Sequence, residues 1–259
     1  MPSRPPTAHD RIRIGGLPID VLTFGQAMDA VESLIVSRAG GSVFTPNVDH
    51  VVQFAEDARL RTAYEGATLS LADGMPIVWA SRLLGKPLPE KVSGSDLVMP
   101  LLQRAATRGW RVFLLGGAEG VAEAARSRLE VDAPGLNVVG TMSPRIDLDE
   151  PAERRAPVVE AVRATSPDLV LVAFGAPKQE LFIAEVREAL RPAVLLGIGA
   201  SLDFIAGVVP RAPGWMSRHG LEWAFRLARE PRRLWRRYLL RDPKFAVILV
   251  RSLREARRS

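Results

Sequence analysis

Apolar positions along the first two hundred residues alternate between two rhythms. Short apolar runs at 42–45, 68–71, 110–115, 137–140, 168–174 and 193–198 have the length and content of strands, several of them apolar enough to be covered on both faces of a parallel sheet. Between them, segments 25–38, 48–58, 76–84, 93–108, 121–129, 152–164 and 181–190 repeat their apolar residues at helical spacing. Residues 12–14 and 19–22 read as a hairpin ahead of this alternation. Strand and helix joined by short connections predict an α/β fold, a Rossmann-like doubly wound and mostly parallel sheet. From Pro210 onward the pattern changes. Segments 213–228, 232–240 and 243–256 are helical, separated by Pro231 and Pro243, and no strand lies between them. The expected organisation is a disordered lead-in at 1–11, an α/β domain at 12–210, the place for any catalytic site, and a helical appendage at 211–259 whose basic character, taken up next, suits docking on a membrane.

Charge sharpens this division. Residues 211–259 hold 14 Lys and Arg against four Asp and Glu, whereas residues 1–210 hold 21 against 25. A slightly acidic body with a strongly basic tail points to a polyanionic partner: an anionic membrane surface, a phosphorylated substrate or nucleic acid. With no cysteine there are no disulfides or thiolate metal sites, and three scattered histidines do not suggest zinc. No run approaches the roughly 20 apolar residues that span a bilayer, and the polar, proline-rich start has no signal-peptide core.

Candidate chemistry concentrates where strands end. In Leu69-Ser70-Leu71-Ala72-Asp73-Gly74-Met75-Pro76, an apolar run stops at an acid and a helix follows. That puts Asp73 at the carboxyl end of a strand, the edge at which open α/β sheets bind ligands. Read from type and position alone, it is either a catalytic carboxylate or a helix cap. Thr45 with Asn47, and Lys178 with Gln179, stand at other strand ends. A parallel sheet brings those ends to one edge, so the set can converge although each member is weak alone.

The ordered motifs Thr45-Pro46-Asn47, Ala72-Asp73-Gly74, Ser93-Gly94-Ser95-Asp96-Leu97, Phe113-Leu114-Leu115-Gly116-Gly117, Phe174-Gly175-Ala176-Pro177-Lys178-Gln179-Glu180 and Gly197-Ile198-Gly199-Ala200 resemble the WecG/TagA/CpsF glycosyltransferases. So do Arg211-Ala212-Pro213, Gly220-Leu221-Glu222-Trp223, Glu230-Pro231-Arg232-Arg233-Leu234 and Arg236-Arg237-Tyr238. The resemblance runs from about Ile14 to Tyr238. It implies an inverting, metal-independent transferase without a cofactor. Such an enzyme moves a hexose, N-acetylmannosamine-type or glucose, from a UDP-sugar donor to a polyprenyl-diphosphate-linked glycoside. The setting it implies is bacterial cell-surface polysaccharide synthesis, at the inner face of the cytoplasmic membrane. The family's base aligns with Asp73 and its substrate contacts with Thr45, Asn47 and Gln179; its diphosphate-binding arginines align with Arg226, Arg233 and Arg236. Lys91 stands where family members often carry Arg, keeping the charge without the bidentate fork.

The residue types suit that chemistry. A carboxylate can take the proton of an attacking hydroxyl, and its strength is set by a helix start at Gly74 acting downward on its pKa and burial acting upward. Arginines and helix N-termini can meet the negative charge of a departing UDP.

Other readings compete at several positions. Asp147-Leu148-Asp149 could hold a divalent cation, but acids just before a helix explain it without one. Gly116-Gly117-Ala118-Glu119-Gly120 lacks full dinucleotide-motif spacing, which argues against NAD and leaves Gly116 and Gly117 as candidate nucleotide contacts. His50 reads as solvated or capping, and Asp96 as a helix cap. The interleaved arginines and aromatics of the tail would suit nucleic acid as well as lipid. A nucleotide-binding module with a nucleic-acid arm is therefore the alternative, although the favoured partners include no nucleic acid. The sequence fits a homo-oligomer as well as a monomer.

Overall fold

The apolar runs pair into a six-stranded sheet in a computed structural model that describes residues 9–256, with the side chains of 217, 218, 233 and 256 outside the description. The strands are β1 Arg11–Ile14, β2 Leu17–Asp20, β3 Gly41–Phe44, β4 Leu69–Ser70, β5 Arg111–Gly116, β6 Asn137–Met142, β7 Leu169–Ala173 and β8 Val194–Gly197. β1 and β2 form a separate antiparallel hairpin. The remaining six lie in the order β4-β3-β8-β7-β5-β6, and every neighbouring pair is parallel. The doubly wound sheet expected from the sequence is thus present.

Two cores flank the sheet. One packs helices Phe24–Val36, Gly94–Arg108 and Val121–Asp132 through Val31, Leu34, Leu101, Leu102 and Leu129. The other buries Phe44, Val51, Phe54, Tyr64, Phe182 and Ile183 from the opposite helices together with the hairpin. The helices that follow β3 and β7 pack on this second face, whereas Ser201–Ile205, after β8, contributes Leu202 to the first. Connections diverging from neighbouring strands leave a crevice above their carboxyl ends. The hairpin is fastened to the sheet edge by Asp20, which pairs with Arg11 at 2.6 Å and accepts the Ser70 main-chain N–H at 2.7 Å. The first strand thus begins at Arg11, and residues 1–8 of the expected lead-in lie outside the described residues.

Several elements depart from the sequence reading. The helix expected at 48–58 stops at Glu56, because Asp57 turns extended and its carboxylate caps a second helix, Ala58–Glu65. The helix at 152–164 begins as a 3₁₀ turn, Ala152–Arg155. In the appendage the first expected helix is two, Gly214–Arg218 and Glu222–Arg229, divided at Gly220 with φ +70°. The next runs from Pro231 to Trp235 and continues as a π-helical turn, Arg236–Arg241. Helix Lys244–Ala256 is not detached. Phe245, Ile248 and Leu249 pack against the second core, and Lys244 pairs with Glu56 at 2.6 Å.

Candidate active site

The crevice is divided into two cavities that meet at Asp73. The larger, about 530 Å³, lies over the sheet's carboxyl edge and is polar. Thr45 and Asn47 reach it from the end of β3, Gln179 from the end of β7, Gly199 and Ser201 from the end of β8, and Arg226, Arg236, Arg237 and Arg241 from the appendage. The smaller, about 340 Å³, lies between the helix that follows Asp73 and the appendage, and Lys91 lines it. Asp73, Asn47, Glu222, Arg226 and Arg237 border both.

Asp73 owes its position to backbone pairing. Its N–H donates to the Pro46 carbonyl at 2.9 Å, and the preceding residue, Ala72, accepts from Val92 N at 2.8 Å. Gly74 then takes φ +97°, a conformation that frees the chain to turn into helix Met75–Leu83. Burial pushes the Asp73 carboxyl up to about 7, with nearby Glu222 acting in the same direction and Lys91 and His50 opposing it. Of the two influences weighed from sequence, desolvation therefore prevails over the helix start.

The side chains around it are held by a buried polar network that the sequence did not disclose. Asn47 caps helix Val48–Glu56, its Oδ1 accepting from Asp49 N at 3.1 Å and from Arg237 Nη2 at 3.1 Å. His50 is buried, with Nδ1 3.2 Å from Asn47 N and Nε2 3.3 Å from Glu180 Oε1. A carboxylate partner puts the hydrogen on Nε2. The same Glu180 oxygen accepts from Gln179 Nε2 at 2.8 Å, and Gln179 Oε1 accepts from Gly199 N at 2.9 Å. Glu180 thus links the ends of β3, β7 and β8. Glu180→Leu leaves His50 and Gln179 with buried donors and no acceptor, an expected loss of about 2 kcal/mol in stability. The denaturant midpoint checks this, and an unshifted midpoint would refute the linking role.

Two groups of arginine are distinguishable. Arg237 and Arg241, four apart on the π-helical turn, both pair with the buried Asp49, at 3.3 and 3.1 Å. Arg226 and Arg236 make cation–π contacts, over Phe204 at 6.0 Å and over Trp235 at 5.5 Å, and border the larger cavity. The Arg233 side chain lies outside the described residues.

Some sequence candidates sit elsewhere. Gly116 and Gly117 border neither cavity. A Cβ on Gly116 would stand 2.6 Å from the Ala173 carbonyl, so its φ of +113° and missing side chain serve close strand packing. Lys178 turns aside to donate to the Ile146 carbonyl at 2.8 Å. Asp96 is a charge hub in the first turn of its helix and not its cap. It accepts from Ser93 Oγ at 2.5 Å, pairs with Lys91 at 2.8 Å and contacts Arg211. Burial pushes its carboxyl upward, but the Lys91 and Ser93 hydrogen bonds prevail and hold it below the usual range. Asp147 Oδ1 accepts the Asp149 N–H at 3.0 Å and Asp149 pairs with Arg59 at 3.3 Å, both away from the two cavities.

The parallel α/β sheet carries a carboxylate at the edge where such sheets bind ligands, faced by arginines from a helical tail, an arrangement suited to an anionic ligand. The description "Glycosyl transferase WecG/TagA/CpsF family" matches residues 12–259, and the chain belongs to that family of glycosyltransferases. It is 34% identical over 215 residues, 83% of this chain and 80% of the relative, to an N-acetylglucosaminyldiphosphoundecaprenol N-acetyl-beta-D-mannosaminyltransferase of Bacillus spizizenii. A protein of the same description from Bacillus subtilis is 31% identical over 218 residues, 84% of this chain and 82% of its own length.

Proposed function

We propose that the chain transfers an N-acetylmannosamine-type hexose from a UDP-sugar to an N-acetylglucosamine carried on a polyprenyl diphosphate, in cell-surface polysaccharide synthesis. The observation that carries this reading is the place of Asp73, on the border of both an arginine-lined polar cavity and a smaller apolar one. The relatives' names supply the sugars and the carrier.

In the proposed reaction the larger cavity holds the sugar nucleotide. Asp73 takes the proton of the acceptor hydroxyl while its oxygen bonds to the anomeric carbon. The bond from that carbon to the diphosphate breaks on the opposite side, its electron pair leaving on UDP and the configuration inverting. Arg226 and Arg236, with main-chain N–H groups at the helix starts, meet the new charge. A carboxyl near 7 is a stronger base than an ordinary aspartate and is still ionised in a useful fraction at neutral pH.

Initial-rate assays with UDP-N-acetylmannosamine and a short-chain prenyl-diphosphate N-acetylglucosamine test the reading directly. UDP release that requires both substrates supports it; no release from any of a panel of UDP-sugars overturns it. Because cationic side chains are proposed to stabilise the leaving group, EDTA is expected to leave the rate unchanged. Loss of rate restored by Mn²⁺ would require a metal site instead.

The tail is proposed to rest on the anionic inner leaflet of the cytoplasmic membrane. Support comes from Trp215, Trp235, Leu239, Leu240, Val247 and Val250, all exposed and interleaved with arginines. Among the described residues no helix is long and apolar enough to cross a membrane. Four tail arginines border the larger cavity, which favours a small anionic ligand over a nucleic-acid strand.

A further inference from the structure

The two cavities share Asp73 but differ in chemistry, and the difference bears on which substrate enters where. The smaller is walled by Val48, Met75 and Pro76 from the body and by Trp223, Tyr238 and Phe245 from the appendage. The Trp223 and Tyr238 rings stand 6.0 Å apart between centroids and are tilted by 57°. Polar groups sit at its edges: Asp73, Glu222 and Asp242 carry carboxyls, while Lys91 is paired with Asp96, and Arg226 and Arg237 are shared with the larger cavity.

We infer that this smaller cavity is the acceptor's sugar subsite, in which the pyranose packs against Trp223 and Tyr238 with its attacking hydroxyl at Asp73. The inference rests on the transferase reading above and adds to it the place and chemistry of acceptor binding. Three arguments converge. In a displacement with inversion the nucleophile and the leaving group approach the anomeric carbon from opposite sides. Donor and acceptor therefore need separate spaces that meet at the base, and Asp73 borders both cavities. Next, a space of about 340 Å³ suits one or two sugar rings better than a whole sugar nucleotide. Last, a pyranose presents an apolar C–H face and a rim of hydroxyls. Aromatic walls with carboxylates at the edge match both. Trp79, 45% exposed, lies against Gly220 on the cavity's border, an apolar surface beside which the prenyl chain would leave.

The full-length chain tests this with the two substrates named above. Trp223→Ala is expected to raise the acceptor KM by at least about tenfold, while the donor KM and the Kd for UDP stay within about twofold of wild type. Trp223→Phe, which keeps an aromatic face, is expected to recover most of the acceptor affinity. The unchanged Kd for UDP reports that the variant is folded. An unchanged acceptor KM, or a donor KM and UDP Kd that rise together with it, overturns the assignment. If the wild-type chain transfers from no UDP-sugar, the transferase reading fails and takes this inference with it. A transferring wild type whose Trp223→Ala variant is unselective overturns the inference alone.

Discussion

Asp73→Asn is expected to lower the transfer rate about a thousandfold, the usual yield of a positioned general base. Asparagine keeps the size of the side chain and cannot take a proton, so UDP binding should persist. The pH dependence gives an independent check. Only the ionised carboxylate accepts a proton, and burial raises its pKa to about 7, so wild-type kcat/KM should fall about tenfold per pH unit below that value. The stability consequence runs in the opposite direction. An acid whose pKa is higher folded than unfolded costs the native state free energy once it is ionised. The cost is complete above pH 7, shrinks as the pH falls towards 4 and is absent below. Asp73→Asn should therefore melt at the same temperature as wild type, or higher, at pH 8, and lose that advantage in acid. Retained turnover in the variant, or a flat pH profile through 7, would remove Asp73 from the proton transfer.

The second large effect is expected from Arg226→Ala combined with Arg236→Ala. These side chains border the polar cavity, while their neighbours Arg237 and Arg241 are engaged by Asp49. Losing two charge-assisted contacts to a diphosphate should raise the donor KM and lower kcat, about a hundredfold together in kcat/KM. Lysine at the same positions should restore part of this, because an ammonium supplies charge without the planar fork. A double variant with wild-type donor kinetics would mean that the leaving group is stabilised elsewhere.

The sheet was legible because buried parallel strands write themselves as apolar runs, as Val112 to Leu115 and Leu169 to Val172 do. The convergence of Thr45, Asn47, Asp73 and Gln179 followed from topology, since parallel strands end on one edge. What escaped the sequence was polar and buried. Glu180 and Asp49 stand in the first turn of their helices, where an acid ordinarily complements the dipole, and nothing local shows that each is enclosed. Helix Ala58–Glu65 was hidden because Asp57, its cap, falls where a single longer helix would also place a polar residue. Gly116 and Gly117 border neither cavity: a side chain on Gly116 would meet the Ala173 backbone of the neighbouring strand and one on Gly117 the Val121 side chain, and glycines placed by packing look the same in sequence as glycines that admit a phosphate. The division of the tail arginines into two groups depends on which of them reach Asp49, a contact across 192 positions for Arg241 that leaves no mark in composition.

Asp49 carries a consequence for any attempt to shorten the protein. Its carboxylate is 4% exposed and answers to two guanidinium groups from the far end of the chain. It also lies two positions beyond Asn47, whose main-chain and side-chain contacts shape one wall of the crevice. A version trimmed at Pro210 would strip both counter-ions from Asp49, beside Asn47 on the crevice wall. The tail is therefore a wall of the crevice as well as an appendage to it, out to the helix that carries Phe245.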